Sequence, residues 1–152
     1  MEPPEPLEVR LIETDEAIAA AFPFVLQLRP RLRDGGAAGF VRVVRLQARD
    51  GYRLFGAFRA DRLVGLAGVR IAHTLSRGPH LFVDDLVTDE SVRGQGVGTA
   101  FVRWLRGHAA EQGLPRVYLD IREAARRFYE RLGGTFMTSI PCWIEADGGQ
   151  PR

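Results

Sequence analysis

The strongest chemical signal in the sequence is a glycine-rich stretch at residues 93–99, RGQGVGT. It lies between a predicted strand, residues 81–88, and a predicted amphipathic helix, residues 96–112. Glycines at the start of a helix leave backbone N–H groups uncovered, and the helix dipole adds positive potential at the same place. Because no side chain blocks phosphate oxygens there, the stretch is predicted to bind a pyrophosphate. The alternative is a glycine-rich connector that binds nothing.

The glycine spacing does not match the dinucleotide fingerprint G-x-G-x-x-G. Counted from Gly94 the third position is Thr99, and counted from Gly96 it is Phe101. Asp120 does lie downstream at the end of a predicted strand, as a ribose-binding acid would. The fingerprint requires its first glycine directly after a strand, however, and here an acidic segment separates the predicted strand from the first glycine. A Rossmann-type nucleotide-binding domain is therefore the less favoured alternative.

Two adjacent acids on the strand before the loop, Asp84 and Asp85, are candidates for a general base. A regular pleat points neighbouring side chains to opposite faces, so one carboxylate is expected to face a cleft and the other packing or solvent. The acids could instead recognise a cationic substrate or pair with arginine as structural groups. Asp120 and His80 are further candidates for the base.

The composition excludes several classes of function. All 21 basic residues are arginine, which rules out a Walker phosphate loop and a lysine Schiff base. With 19 acidic residues the formal charge is +2, and the interspersed charges argue against a nucleic-acid-binding protein. The single cysteine, Cys142, excludes an internal disulfide and a multi-cysteine metal site.

Length and hydropathy indicate one soluble domain. A chain of 152 residues falls within the usual range of about 100–200 residues per domain. The longest apolar run, residues 17–26, is interrupted by Pro23 and is far shorter than the roughly 20 residues of a membrane span. Residues 1–10 are acidic and proline-rich, the reverse of a secretion signal. We expect a cytoplasmic protein that does not bind membranes, with one domain at residues 1–146 and a disordered tail at residues 147–152.

The pattern predicts helices at either end of the chain and strands in the middle. Thr14 is expected to cap the first helix, Pro30 to stop it, and Gly133 to close the last helix. This order predicts an α+β or mixed-sheet α/β domain. The predicted strands are residues 7–12, 52–59, 63–74, 81–88, 116–121 and 135–144, and the predicted helices are residues 17–28, 37–49, 96–112 and 122–132.

Two motifs in this order resemble the GNAT (GCN5-related N-acetyltransferase) superfamily. The first is Gln/Arg-x-x-Gly-x-Gly/Ala, matched by Arg93, Gly96 and Gly98. The second is the helix A-x-x-(F/L)-Y-E-(K/R)-x-G, which residues 125–133 resemble, and residues 117–120 are similar to the strand before it. The resemblance implies an α/β fold with a mixed, mostly antiparallel central sheet flanked by helices, whose fourth and fifth strands splay apart.

The resemblance also implies a donor site. In this family an acceptor amine attacks the thioester of acetyl-CoA directly, in a ternary complex and without a metal. The pantetheine arm pairs with the backbone of the fourth strand, and the pyrophosphate lies on the loop amides. Carried over by position, the cofactor-binding residues are Leu86, Val87, Thr88, Arg93, Gly94, Gln95, Gly96, Val97, Gly98 and Thr99.

Catalytic roles follow from the same motifs. Tyr129 has the position of the family's tyrosine that protonates the departing thiolate. Arg122 and Arg126, on the preceding turns, are expected to lower its pKa. Polyamine-type members carry an acid aligned with Asp84 that acts as a base through water, and Asp85 is the reserve. The alternative for Tyr129 is a packing role.

The function predicted from these features is transfer of acetyl from acetyl-CoA to a primary amine. A small-molecule acceptor is expected, because no accessory domain or basic tract points to a nucleic-acid-associated target. The second hypothesis is a non-catalytic acyl-CoA-binding sensor on the same fold. A homodimer is compatible with the sequence but is not required by it.

Overall fold

The computed structural model describes residues 5–148, and within them the centre of the fold is a five-stranded sheet. The strands are β1 Glu8–Leu11, β2 Arg53–Arg59, β3 Arg62–Thr74, β4 Gly78–Thr88 and β5 Val117–Leu119. They lie side by side in chain order, and neighbours are antiparallel except β4 and β5, which are parallel. The mixed, mostly antiparallel sheet is therefore confirmed. The Rossmann alternative fails, because that fold requires a mostly parallel sheet.

Helices cover both faces of this sheet. The helices α1 Asp15–Leu28 and α2 Gly36–Ala48 pack on one face, where Leu66 belongs to their apolar core. The helix α3 Val97–Glu111 packs on the other face, where Ala67 belongs to the core. Leu66 and Ala67 are neighbours on β3, so the pleat sends their side chains to opposite layers. No helix within residues 5–148 is long and apolar enough to span a bilayer.

The first helix begins and ends where the sequence predicts. Thr14 Oγ1 accepts a hydrogen bond from Ala17 N–H at 3.1 Å, which confirms the N-cap. The helix ends at Leu28, two residues before Pro30. Proline fits the first position of a helical turn, and a 3₁₀ helix, Pro30–Gly35, follows at once. Residues 34–36, which lie before the second predicted helix, therefore belong to this turn and to the start of α2.

The strand β4 has one extra residue at a single point of its pairing with β3. Gly68 pairs with Asp85 and Val69 pairs with Val83, so Asp84 is the extra residue of a β-bulge. The strand β5 pairs with β4 only at residues 81–83. Beyond Val83, that edge of β4 has no neighbouring strand among the described residues, which is the predicted separation of the fourth and fifth strands.

The chain divides after Asp120 into two compact units, Met1–Asp120 and Ile121–Arg152. The second unit contains a 3₁₀ helix, Glu123–Ala125, and the short helix α4, Arg126–Arg131. The helix predicted at residues 122–132 is thus present but split. It ends before Gly133, which has a φ of +82°.

The predicted last strand at residues 135–144 is wrong. Residues 135–146 form neither helix nor strand, and the side chains of Ile140, Trp143 and Ile144 are exposed. A strand needs a neighbour that accepts and donates backbone hydrogen bonds, and no described strand pairs with this segment. Of the tail predicted at residues 147–152, the part from residue 149 onward lies outside the described residues.

Candidate active site

The glycine loop between β4 and α3 has the open geometry that a phosphate group needs. Gly94 and Gly96 have φ angles of +81° and +79°, in the left-handed region that favours glycine. A Cβ added at either position would meet no atom within 4 Å. The backbone of the loop is therefore bare on the side where side chains would otherwise project.

The first amides of α3 have no partner within the helix. The helical ladder begins with the hydrogen bond from Ala100 N–H to Gly96 O, at 3.0 Å. The N–H groups of Val97, Gly98 and Thr99 precede that bond, and Gly96 at the N-cap has no side chain to satisfy them. Because α3 is 15 residues long, its dipole adds positive potential at the same amides. The residues present fit a pyrophosphate.

Gln95 is a loop residue that forms hydrogen bonds to the rest of the protein through three of its atoms. Its N–H donates to Val92 O at 3.2 Å. Arg59, at the end of β2, donates to the Gln95 side-chain oxygen at 3.3 Å and to its backbone oxygen at 3.2 Å. These contacts anchor the loop to the sheet. Arg93 lies exposed on the loop surface, where a phosphate could meet it.

A buried carboxylate that sequence reasoning missed anchors the start of the loop. Asp89 accepts hydrogen bonds from Ser91 Oγ at 2.6 Å, Gln27 Nε2 at 3.0 Å and Arg62 Nη2 at 3.3 Å. The hydrogen bond from Ser91 is the largest cause that lowers the pKa of Asp89. Gln27 also accepts from Glu90 N–H at 3.1 Å, so α1 holds the segment at two points.

The three residues predicted to pair with an extended ligand lie on the separated part of β4. On the β3 side, Leu86 pairs with Ala67, and Val87 and Thr88 continue the ladder. On the β5 side, the same part of the strand has no partner strand among the described residues. An unpaired strand edge offers backbone N–H and C=O groups to an extended chain with amides of its own.

The bulge overturns the expected orientation of the two acids. Asp84 and Asp85 both reach the α1/α2 side of the sheet, because Asp85 accepts from the hydroxyl of Tyr52 in the α1/α2 core and Asp84 accepts from Arg70, which also donates to Gln47 on α2. A regular pleat would have separated them, but the extra residue shifts the alternation by one position. The prediction of opposite faces is therefore wrong, and the two acids belong to one polar cluster.

Each acid of this cluster has an arginine partner. Asp84 Oδ2 accepts from Arg70 Nε at 2.7 Å, and Arg70 also donates to Gln47 on α2 at 3.2 Å. Both oxygens of Asp85 are engaged, one by Arg29 Nε at 3.3 Å and the other by the Tyr52 hydroxyl at 2.9 Å. In the described part of the chain, Oδ1 of Asp84 thus has no hydrogen-bond partner, whereas both carboxylate oxygens of Asp85 have one.

Tyr52 is a residue of the cluster that no sequence motif singled out. Its side chain is buried, and burial together with the charge of Asp85 raises its pKa far above the ordinary value. Tyr52 is therefore a neutral hydroxyl that donates to Asp85. Gly68, which pairs with Asp85 across the sheet, leaves the space that the phenol ring fills.

Substitution of Gly68 by alanine is expected to destabilise the fold. The new Cβ would lie 1.8 Å from the Tyr52 hydroxyl oxygen and 2.3 Å from the adjacent ring carbon, so the ring must move and its bond to Asp85 is lost. Overpacking of this kind costs about 1–3 kcal/mol. Urea denaturation would measure the loss in the free energy of unfolding.

The matched control is Gly107→Ala. Gly107 lies within α3, and an added Cβ meets nothing within 4 Å, so alanine should stabilise the helix by about 0.5–1 kcal/mol. Equal stability of Gly68→Ala and the original protein would contradict the tight contact between Gly68 and Tyr52.

Tyr129 lies on α4 in the second unit, and its environment differs from the predicted one. Its side chain is half-buried, and burial raises its pKa. Arg126, which was expected to lower that pKa, pairs with Glu123 at 2.7 Å and lies over the ring of Phe136. The expected lowering by arginine is therefore wrong, and the phenol holds its proton more tightly than free tyrosine.

The two further candidates for the base have other environments. His80 is 2% exposed, its Nδ1 lies 2.9 Å from Gly78 O, and its ring packs against Tyr118. It is a core residue of β4. Asp120 follows β5 and is exposed. Neither belongs to the cluster around Tyr52.

A family of known proteins matches the segment that contains the glycine loop, and solved structures share the fold of the sheet. The family model described as "Acetyltransferase (GNAT) family" matches residues 34–134, which contain both motifs. A glucosamine 6-phosphate N-acetyltransferase of Trypanosoma brucei brucei is 36% identical over 74 residues, which is 47% of this chain and 50% of that enzyme. The chain thus aligns with only about half the length of that relative.

Solved structures share the fold over nearly the whole chain. An acetyltransferase from Trypanosoma brucei superposes with a TM-score of 0.74 at 23% identity, covering 91% of this chain and 99% of that one. An aminoglycoside N-acetyltransferase crystallised in complex with CoA superposes with a TM-score of 0.74 at 17% identity, covering 95% and 98%. The family match spans most of the chain and includes the loop and the sheet described above, so this protein belongs to the GNAT family of acetyltransferases.

Proposed function

We propose that this protein transfers the acetyl group of acetyl-CoA to the primary amine of a small molecule, by direct attack in a ternary complex. The observation that carries the proposal is the bare glycine loop at the start of α3, together with the edge of β4 beyond Val83, which has no partner strand within residues 5–148. The first suits a pyrophosphate, and the second suits the amide-bearing arm attached to it. Acetyl-CoA joins these two groups in one molecule.

In this mechanism the loop and the strand edge bind the donor. The amides of Val97, Gly98 and Thr99 would hold the pyrophosphate, with Arg93 at the loop surface as a further cation. The backbone of Leu86, Val87 and Thr88 would pair with the pantetheine arm. The hydrogen bonds of Gln95 and Asp89 keep the loop in place before the ligand arrives, which lowers the entropy cost of binding.

The chemical step needs one base and one acid. The amine nitrogen attacks the thioester carbonyl, the new C–N bond forms, and the C–S bond breaks with its electron pair on sulfur. A base takes the surplus proton of the amine, and an acid protonates the thiolate. Asp84 suits the base because Oδ1 is unengaged, while both oxygens of Asp85 already accept hydrogen bonds. Tyr129 is assigned the acid because it has the motif position of the family's tyrosine; burial raises its pKa, so the phenol is protonated at neutral pH although it is a weaker acid than free tyrosine.

The non-catalytic alternative, an acyl-CoA-binding sensor, is favoured by one observation. Each acid near the predicted acceptor site is paired with an arginine, Asp84 with Arg70 and Asp85 with Arg29. Such pairs are also what a purely structural cluster would show. The two functions differ in turnover: the sensor binds acetyl-CoA, but acetylates no amine in a broad panel.

The donor site is tested by Gly96→Glu, which should weaken acetyl-CoA binding at least about tenfold, or about 1.4 kcal/mol. The substitution places a negative charge beside the phosphates and strains a backbone with a φ of +79°. Isothermal titration calorimetry with acetyl-CoA and with CoA measures the change, and circular dichroism checks the fold.

Gly107→Glu is the matched control, since it adds the same charge to the same helix away from the loop, at an exposed position. It should bind acetyl-CoA like the original protein. Unchanged affinity in a folded Gly96→Glu variant would remove the loop from the donor site.

A further inference from the structure

A cavity of about 160 Å³ opens directly onto the acidic cluster of β4. Asp85, Tyr52 and Gln47 line its polar end, and Leu32, Phe40 and Val43 line its apolar part. Since one water occupies about 30 Å³ in the liquid, the space admits a group of only a few heavy atoms. The cavity suits part of a small molecule.

This cavity continues into a second one, and the two share four lining residues. Arg31, Leu32, Phe40 and Val43 contribute to both. The second cavity has a volume of about 320 Å³ and is lined by Arg42 of α2. Together they form a groove, the α1–α2 groove, that is lined by Asp85 of β4 in the first cavity, by Arg42 in the second and by Arg31 in both.

The charges that line the α1–α2 groove do not cancel. Asp85, in the first cavity, is neutralised by Arg29 at 3.2 Å. Arg31, which lines both cavities, and Arg42, which lines the second, are exposed, and neither forms an ion pair or a side-chain hydrogen bond with any residue in the range 5–148. Asp85 is the one acid among the residues that line the groove. The second cavity is therefore net positive.

We infer that the acceptor amine carries an anionic group, a carboxylate or a phosphate, which Arg31 and Arg42 bind while the amine lies against Asp85, the neighbour of Asp84 in β4. The inference rests on the proposed function, because it names the class of acceptor for the same site. Guanidinium groups match the planar, two-oxygen geometry of both anions. A polyamine would place a second ammonium against the two arginines, which like-charge repulsion disfavours.

Paired acceptors test this inference without requiring turnover. Calorimetry would compare glucosamine with glucosamine 6-phosphate and propylamine with 3-aminopropionate, each with and without saturating CoA. Within each pair, the second molecule carries an anionic group that the first lacks. The anionic member of at least one pair should bind about fivefold or more tightly at low salt, and the pair with the larger preference distinguishes phosphate from carboxylate. Equal affinities within both pairs would overturn the inference.

The double variant Arg31→Gln/Arg42→Gln should abolish this preference and leave the affinity for the neutral member unchanged. The control Arg49→Gln/Arg103→Gln removes the same charge from exposed positions outside the groove and should keep the preference. If the preference for the anionic member survives in the first variant, the two groove arginines do not cause it. The same conclusion follows if the control loses the preference to the same extent.

Failure of the inference and failure of the proposed function give different results. If the protein acetylates neutral amines as efficiently as their anionic counterparts, the acceptor class is wrong and the acetyltransferase activity stands. If the protein binds the anionic members preferentially but acetylates no amine, the inferred anion site stands and the proposed transfer reaction fails.

Discussion

Tyr129→Phe is expected to lower kcat by about 10²–10⁴ while the affinity for CoA stays nearly unchanged. The substitution removes one hydroxyl and keeps the half-buried ring. If that hydroxyl protonates the thiolate, its contribution exists only in the transition state, so kcat and kcat/KM fall together. A thiol reagent that reacts with released CoA measures the rate, and calorimetry measures the affinity for CoA.

The wild-type pH profile gives a second measure of this role. Burial raises the pKa of Tyr129 above its ordinary value of about 10, so the acid form persists through neutral and mildly alkaline pH. Loss of kcat that depends on this group should therefore begin only above pH of about 10. An acid whose pKa had been lowered by arginine would lose activity earlier.

Tyr118→Phe is the control for Tyr129→Phe. The hydroxyl of Tyr118, a half-buried residue of β5, accepts a hydrogen bond from Arg116 at 3.2 Å, and its removal should leave kcat unchanged. Wild-type turnover by Tyr129→Phe, with a verified amine acceptor, would show that the phenol packs rather than donates.

Asp84→Asn is expected to lower the rate by about 10²–10⁴ near neutral pH and to regain part of it at high pH. The asparagine side chain keeps an oxygen that can accept the hydrogen bond which Arg70 donates to Asp84 at 2.7 Å. The bulge should therefore keep its conformation. Without a base, only the fraction of amine that is already deprotonated reacts. That fraction rises about tenfold per pH unit below the pKa of the amine, so the profile of kcat/KM between pH 6 and 10 reports the loss.

Asp61→Asn controls for the removal of one carboxylate. Asp61 lies in the turn between β2 and β3, pairs with Arg10 at 2.8 Å, and should not affect the profile when changed. If Asp85→Asn shows the altered profile and Asp84→Asn does not, the roles of the two acids are exchanged. Wild-type profiles from both variants would exclude a base in this cluster.

Local sequence signals predicted the parts of the fold that depend on local physics. The apolar face of α3, the cap at Thr14 and the glycines of the loop all act within a few residues of one another, and each was found where predicted. The separation of β4 from β5 came from the family resemblance rather than from periodicity. The last strand failed because strand formation depends on a partner that a single-sequence pattern does not supply.

The parts of the candidate site that sequence reasoning missed are long-range. Tyr52 and Asp85 are 33 positions apart, and Gln27 and Asp89 are 62 apart, so no spacing within a motif connects them. The bulge at Asp84 could not be predicted either, because it exists only relative to the register of β3. Glycine at position 68 was a partial signal, since it indicated close packing without naming the ring that fills the space.

The bulge makes position 84 an insertion that the two layers of the fold do not require. Val83 pairs with Val69 and Asp85 pairs with Gly68, so the parts of β4 on either side of Asp84 already follow consecutive residues of β3. Deleting Asp84 would join Val83 to Asp85 as a regular strand and would leave Leu81 and Val83 in the α3 core and Val87 in the α1/α2 core. Under the proposed function, the residue type at position 84 can therefore change acceptor chemistry while the packing of both layers stays as it is.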